Sequence, residues 1–129
     1  MPKSKHYNFF KNAQWAFEGV VAAARRERAF QIELALSIPT LIFVLLVKHV
    51  RFAYKVILFM SIANLLSTEL INSSLEAVTD LAEPAYNPKA KFAKDTASGA
   101  VFFSILVVVA SLVLCIVDYF LSGKESDEA

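Results

Sequence analysis

Apolar and polar positions along this chain sort into four stretches. In the first 24 residues Phe10, Ala13, Phe17, Val20, Val21 and Ala24 recur mostly three or four apart. That spacing gathers them on one face of a helix, with Lys11 and Glu18 off it. Arg25 and Arg26 follow, and such a helix suits the plane of a membrane surface. Residues 1–28 are assigned to it. The next apolar run covers about residues 29–47, with Gln31 and Glu33 near its start and Pro39 inside. A hydrocarbon core of roughly 30 Å needs about 20 helical residues, so this run is just long enough to cross. Pro39 is a candidate kink of a kind that membrane helices tolerate. Lys48, His49 and Arg51 mark a short turn. The third stretch, about residues 52–81, is apolar to Leu66 and then polar on one side, with no glycine or proline to stop it. Two prolines and an asparagine between Glu83 and Pro88 make a loop. Lys89, Lys91 and Lys94 open the last helix, which runs to about residue 121 and carries Asp118 near its far end. The acidic tail, residues 122–129, is expected to be disordered. The pattern predicts an all-α membrane protein of one domain, residues 1–129, with an amphipathic surface helix and three transmembrane helices.

Composition agrees with this. The apolar fraction is 57% and the mean hydropathy is +0.51, against about 45–50% apolar in a typical soluble domain. A net charge of +1 provides no field to attract nucleic acid. Lys3, Lys5, Lys11, Arg25, Arg26 and Arg28 are followed by no apolar core with a small-residue cleavage site, so the spans are expected to act as their own insertion signals. With three spans, the N-terminal segment and the Pro84–Lys94 loop share one side and hold nine of the thirteen Lys and Arg residues. The positive-inside rule puts the N-terminus and that loop in the cytoplasm. Lys48, Arg51 and Lys55 oppose that orientation weakly. The single cysteine, Cys115, lies in an apolar run and is read as a buried structural thiol. Trp15 is read as an interfacial anchor, and His6 and His49 as surface residues.

Chemistry concentrates on the third stretch. Glu69 and Glu76 are seven residues apart, within about 20° of two full helical turns. Asn72 lies between them, three after Glu69 and four before Glu76, and Asp80 follows four after Glu76. The four form one polar stripe on a helix that is otherwise apolar. Ionisable groups cost roughly 2.5–3.5 kcal/mol each in a membrane helix, and they normally face a bundle interior or a polar cleft. Glu76 and Asp80 could simply pair with Lys89, Lys91 or Lys94. Glu69 lies about 16 Å deeper along the helix than Asp80, beyond such a pairing. Carboxylates and an amide suit a hard divalent cation, and Lys94, beside Asp95, could meet phosphate as a point charge. These are the parts of a phosphoryl-transfer site. Neither a G-x-x-x-x-G-K-[ST] loop nor the H-R-D and D-F-G set is present.

The run Glu69-Leu-Ile-Asn72-Ser-Ser-Leu-Glu76-Ala-Val-Thr-Asp80 closely resembles the signature of the prokaryotic diacylglycerol kinase family. Ala93-Lys94-Asp95, Ala97-Ser98-Gly99-Ala100 and Glu27-Arg-Ala-Phe30 with Glu33 resemble that family's other motifs, in order, over about residues 9–120. The resemblance implies a homotrimer of three-span subunits in the bacterial inner membrane, with active sites shared between subunits on the cytoplasmic side. It implies transfer of the γ-phosphoryl group of ATP, with Mg²⁺, to a lipid hydroxyl. By matching position, Glu69 is the general base, and Glu27 and Glu76 hold the metal. Asn72, Tyr86, Asn87, Lys94 and Asp95 contact ATP or support its site. Glu33 and Ser98 join Glu69 towards the lipid. Two positions depart from the family: Thr79 stands where an apolar residue is usual, and Asn87 where histidine is common.

Diacylglycerol, phosphorylated to phosphatidic acid, is the first expectation for the lipid, on the Ser73-Ser-Leu-Glu-Ala77 run. Undecaprenol is the rival, on the run from Asn87 to Ala100. A small ion-transporting protein would continue its carboxylates across the membrane, which the apolar runs Val56–Leu66 and Val101–Val117 do not do. A purely structural membrane protein gives no reason for Glu69.

Overall fold

The computed structural model describes residues 8–127 as four helices: α1 (Phe9–Arg26), α2 (Arg28–Leu46), α3 (Phe52–Ala82) and α4 (Pro88–Asp127). Residues 1–7, with His6, lie outside the described residues. The last three helices are long and apolar enough to cross a membrane. The Asn8 side chain accepts the Lys11 N–H at 3.2 Å and starts α1, as an N-cap asparagine does. The assignment of residues 1–28 to one helix needs correction at its end. Glu27 is extended (φ −93°, ψ 110°) and separates α1 from α2 by a single residue. Its N–H donates to the Ala23 carbonyl at 2.8 Å, and its own carbonyl accepts from Gln31 N–H at 3.1 Å. One residue therefore closes α1 and opens α2, and the change of direction falls on a candidate site residue.

Burial along the helices repeats every seven residues. On α2 the buried positions are Phe30, Ser37 and Val44. On α4 they are Val101, Ser104, Ser111, Cys115 and Asp118, with Val108 half-buried. On α3 they are Leu58, Ser61, Ile62, Leu65, Glu69 and Asn72. A seven-residue stripe is what two helices crossing at a shallow angle need. The α3–α4 pair is the most extensive contact in the bundle, α2 packs on α3, and α1 leans on both. Leu58, Ile62, Val44, Val50 and Cys115 form the apolar centre, with Tyr54, Leu66, Val108 and Leu112 against it. Polar residues in this layer satisfy one another: Asn64 Nδ2 donates to Ser104 Oγ at 3.1 Å, and that hydroxyl donates to Thr68 Oγ1 at 3.2 Å.

Pro39 sits inside α2, where it removes one ladder N–H. Next to it, Thr40 Oγ1 donates to the Leu36 carbonyl at 2.7 Å. At the α2–α3 turn, Lys55 Nζ caps the end of α2 by donating to the Val47 carbonyl at 2.6 Å. Asp118, 2% exposed, accepts from the Arg51 N–H at 2.7 Å and from Arg51 Nε at 2.5 Å. Cys115 is buried, as its apolar surroundings suggested. His49 is exposed and meets the Tyr119 ring edge-on. Asn87 caps the last helix: its Oδ1 accepts the Lys89 N–H at 2.9 Å, and Pro88 takes the first helical position.

The expected end of the last helix near residue 121 is a second correction, because α4 continues to Asp127. No proline interrupts this extension, and its one glycine, Gly123, costs only about 1 kcal/mol. A helix already more than thirty residues long adds further turns without a new nucleus.

Candidate functional site

The buried stripe of α3 changes character along its length. Leu58, Ile62 and Leu65 are apolar; on the same face, Glu69 and Asn72 continue it at 4% and 7% exposure, and Glu76 follows, half-buried. The face that forms the core in one half of the bundle forms a polar site in the other. Glu69 lies in the electrostatic reach of Glu76 and of Glu27, and Glu33 lies in that of Glu69. Four carboxylates named by the sequence thus converge from the α1–α2 break, α2 and α3.

Asn72 Nδ2 donates to Glu76 Oε1 at 3.2 Å and holds that carboxylate in place. Asn72 Oδ1 and Glu33 Oε2 are buried with no hydrogen-bond partner. Orphaned oxygens of this kind are costly unless a ligand takes them up. The donor set of carboxylate and amide oxygens fits a hard divalent cation. Among the described residues no three acidic, histidine or cysteine side chains stand close enough to enclose an ion by themselves. A cleft of about 370 Å³ opens beside Glu27, between Trp15, Gly19 and Ala23 of the α1 side and Ser73 and Ala77 of α3.

The basic side of the site lies where α3 ends and α4 begins. Lys94 Nζ donates to Asp80 Oδ1 at 2.9 Å and to Oδ2 at 3.1 Å, and Glu76 is also among its electrostatic neighbours. Asp80, Asn87, Lys94 and Asp95 line a cavity of about 340 Å³ with Tyr86 and Glu83. The pairing of Asp80 with a loop-side lysine, one of the two readings left open, is what the structure has; Glu76 is held by Asn72 instead. Asp95 pairs with Lys91 one turn away. Asn87 donates to Glu83 Oε2 at 3.1 Å and caps α4, so its side chain already has a structural role. Tyr86 is 82% exposed. Ser98 is exposed, off the α3-facing stripe of α4. The Arg51–Asp118 pair was not anticipated from sequence. The signal for it was a lone acid near the end of an apolar helix and an arginine in the only turn on that side.

The profile of the family described as prokaryotic diacylglycerol kinase matches residues 14–117. An undecaprenol kinase of Bacillus subtilis (strain 168) is 36% identical over 107 residues, covering 82% of this chain and 86% of that protein. The matched region takes in the carboxylate stripe, the α1–α2 break and the start of α4. The chain belongs to the prokaryotic diacylglycerol kinase family of membrane lipid kinases.

Proposed function

We propose that this protein transfers the γ-phosphoryl group of ATP to the hydroxyl of undecaprenol. The observation that carries the transfer is Glu69, a carboxylate 4% exposed in a membrane helix and grouped with three other acids. The choice of lipid leans on the Bacillus subtilis relative, which is named for undecaprenol and matches over most of both chains. Diacylglycerol, the first expectation from the Ser73–Ala77 run, becomes the second reading.

Glu69 takes the proton of the lipid hydroxyl as its oxygen attacks the γ-phosphorus. The bond from that phosphorus to the β–γ bridging oxygen breaks, and ADP leaves. Glu27 and Glu76 would hold Mg²⁺, and Asn72 orients Glu76. Bound there, the cation would neutralise charge on the phosphates. Lys94 contributes a point charge to the same phosphates. Tyr86, Asn87 and Asp95 border the nucleotide cavity, while Glu33 and Ser98 face the lipid side. Ser98 is exposed on α4, off the stripe that faces α3, which supports a homotrimer with sites shared between subunits. The charge distribution supports an inner-membrane protein with its N-terminus and site on the cytoplasmic side.

The test is radiolabelled phosphate transfer from MgATP to each lipid in mixed micelles. Undecaprenol is expected to be used at least tenfold faster in kcat/KM than diacylglycerol. The reverse preference would return diacylglycerol to first place, and transfer to neither would remove the kinase reading.

A further inference from the structure

Of the lysines that open α4, Lys94 makes an ion pair across to another helix, whereas Lys91 pairs with Asp95 one turn along its own. Both carboxylate oxygens of Asp80 accept from the Lys94 ammonium. An ammonium has three N–H donors, so the third is left for another acceptor. Both residues line the 340 Å³ cavity at the α3–α4 loop. Glu76, one turn before Asp80 on the same stripe, lies in the electrostatic reach of Lys94. The pair therefore ties the cavity to the carboxylate site.

A clamp between helices is the alternative role. The α3–α4 pair is already the most extensive contact in the bundle. Solvent-exposed ion pairs of this kind add little to stability. The lasting consequence of the pair is positional. A lysine stem is long and flexible and loses much rotamer freedom when it binds. Holding it in advance reduces that loss.

We infer that Asp80 is a positioning residue, which holds the Lys94 ammonium at the mouth of the α3–α4 cavity with one N–H left for a phosphate oxygen of the nucleotide. The inference rests on the nucleotide role proposed for Lys94. It assigns Asp80 to nucleotide affinity and not to lipid binding or to folding.

The experiment measures MgATP binding by titration calorimetry on the full chain in detergent micelles, together with turnover and thermal unfolding. Asp80→Asn is expected to raise the Kd for MgATP about three- to tenfold, with the lipid KM and the unfolding midpoint unchanged. Asp80→Glu, which keeps the charge, is expected to bring Kd back to within about twofold of wild type. In a Lys94→Ala background, Asp80→Asn is expected to add nothing. An unchanged or tighter Kd in Asp80→Asn, an equal rise in lipid KM, or an additive effect in the Lys94→Ala background each overturns the inference. Wild-type protein that binds MgATP without phosphorylating lipid removes the kinase reading and leaves the Asp80 result to stand on binding alone. Wild-type protein that binds no MgATP sinks both.

Discussion

Ser67, Thr68 and Ser74 share the polar half of α3 with Glu69, Asn72 and Glu76, yet they differ in what their side chains do. Their hydroxyls donate to the carbonyls of Ala63, Asn64 and Leu70 of their own helix, each at 2.8 Å. The backbone thus satisfies them where water is scarce. Glu69 has no such local donor, and Asn72 keeps an orphaned oxygen. The two groups should respond differently to substitution. Glu69→Gln is expected to lower kcat at least about a hundredfold, the usual range for a lost general base, with MgATP binding retained. Ser74→Ala should leave turnover within about twofold. Glu76→Gln should raise the Mg²⁺ concentration for half-maximal turnover about ten- to a hundredfold, as loss of a ligating group does. Steady-state kinetics on the three variants checks all of this, and an active Glu69→Gln enzyme would remove the base mechanism. The identity of these residues was plain in the sequence, but their sorting was not. Spacing puts Ser73, four residues after Glu69, on nearly the same side of the helix as that carboxylate, and only the position of the neighbouring helices decides that Glu69 is shut away from water while Ser73 is half-buried.

At the scale of the helices, α4 carries an ionic pair at each end of one seven-residue stripe. Lys94 meets Asp80 at the site end and Asp118 meets Arg51 at the other, about 36 Å away along the helix. The far pair joins the α2–α3 turn to α4. Arg51→Ala would leave a buried carboxylate with a backbone N–H as its remaining donor. Unpaired buried charge is destabilising, so the thermal unfolding midpoint in detergent should fall by at least roughly 4 °C. Because the pair is remote from Glu69, kcat/KM at low temperature should stay within about twofold of wild type. A large loss of kcat/KM in a folded Arg51→Ala protein would mean that the two ends of α4 are coupled. Apart from the far end of α4, the bounds of the three long helices were legible within a few residues, because long apolar runs and the Pro84–Pro88 loop are local signals. The break at Glu27 was hidden: no proline or glycine marks it, and an extended glutamate is stabilised there by packing of α1 against α2 and α3.

For the whole molecule, chelation should abolish transfer and added Mg²⁺ should restore it, read by radiolabelled phosphate transfer to lipid. If active sites are shared, mixed assemblies of Glu69→Gln and Lys94→Ala subunits should regain part of the activity that each variant lacks alone. No recovery after co-reconstitution would place each site within one subunit.

The order of hydrophobic and polar positions was sufficient to establish the helices, the three spans and the acidic stripe with its family motif. Each of these depends on residues near one another along the chain, at helical spacing or in unbroken runs. The choice of Lys94 among the three lysines open to Asp80, the Arg51–Asp118 pair, and the burial of Glu69 with Ser98 left exposed were decided only by the tertiary arrangement. These contacts join residues on separate helices. Their geometry follows from how the helices cross and rotate against one another, which no local spacing records.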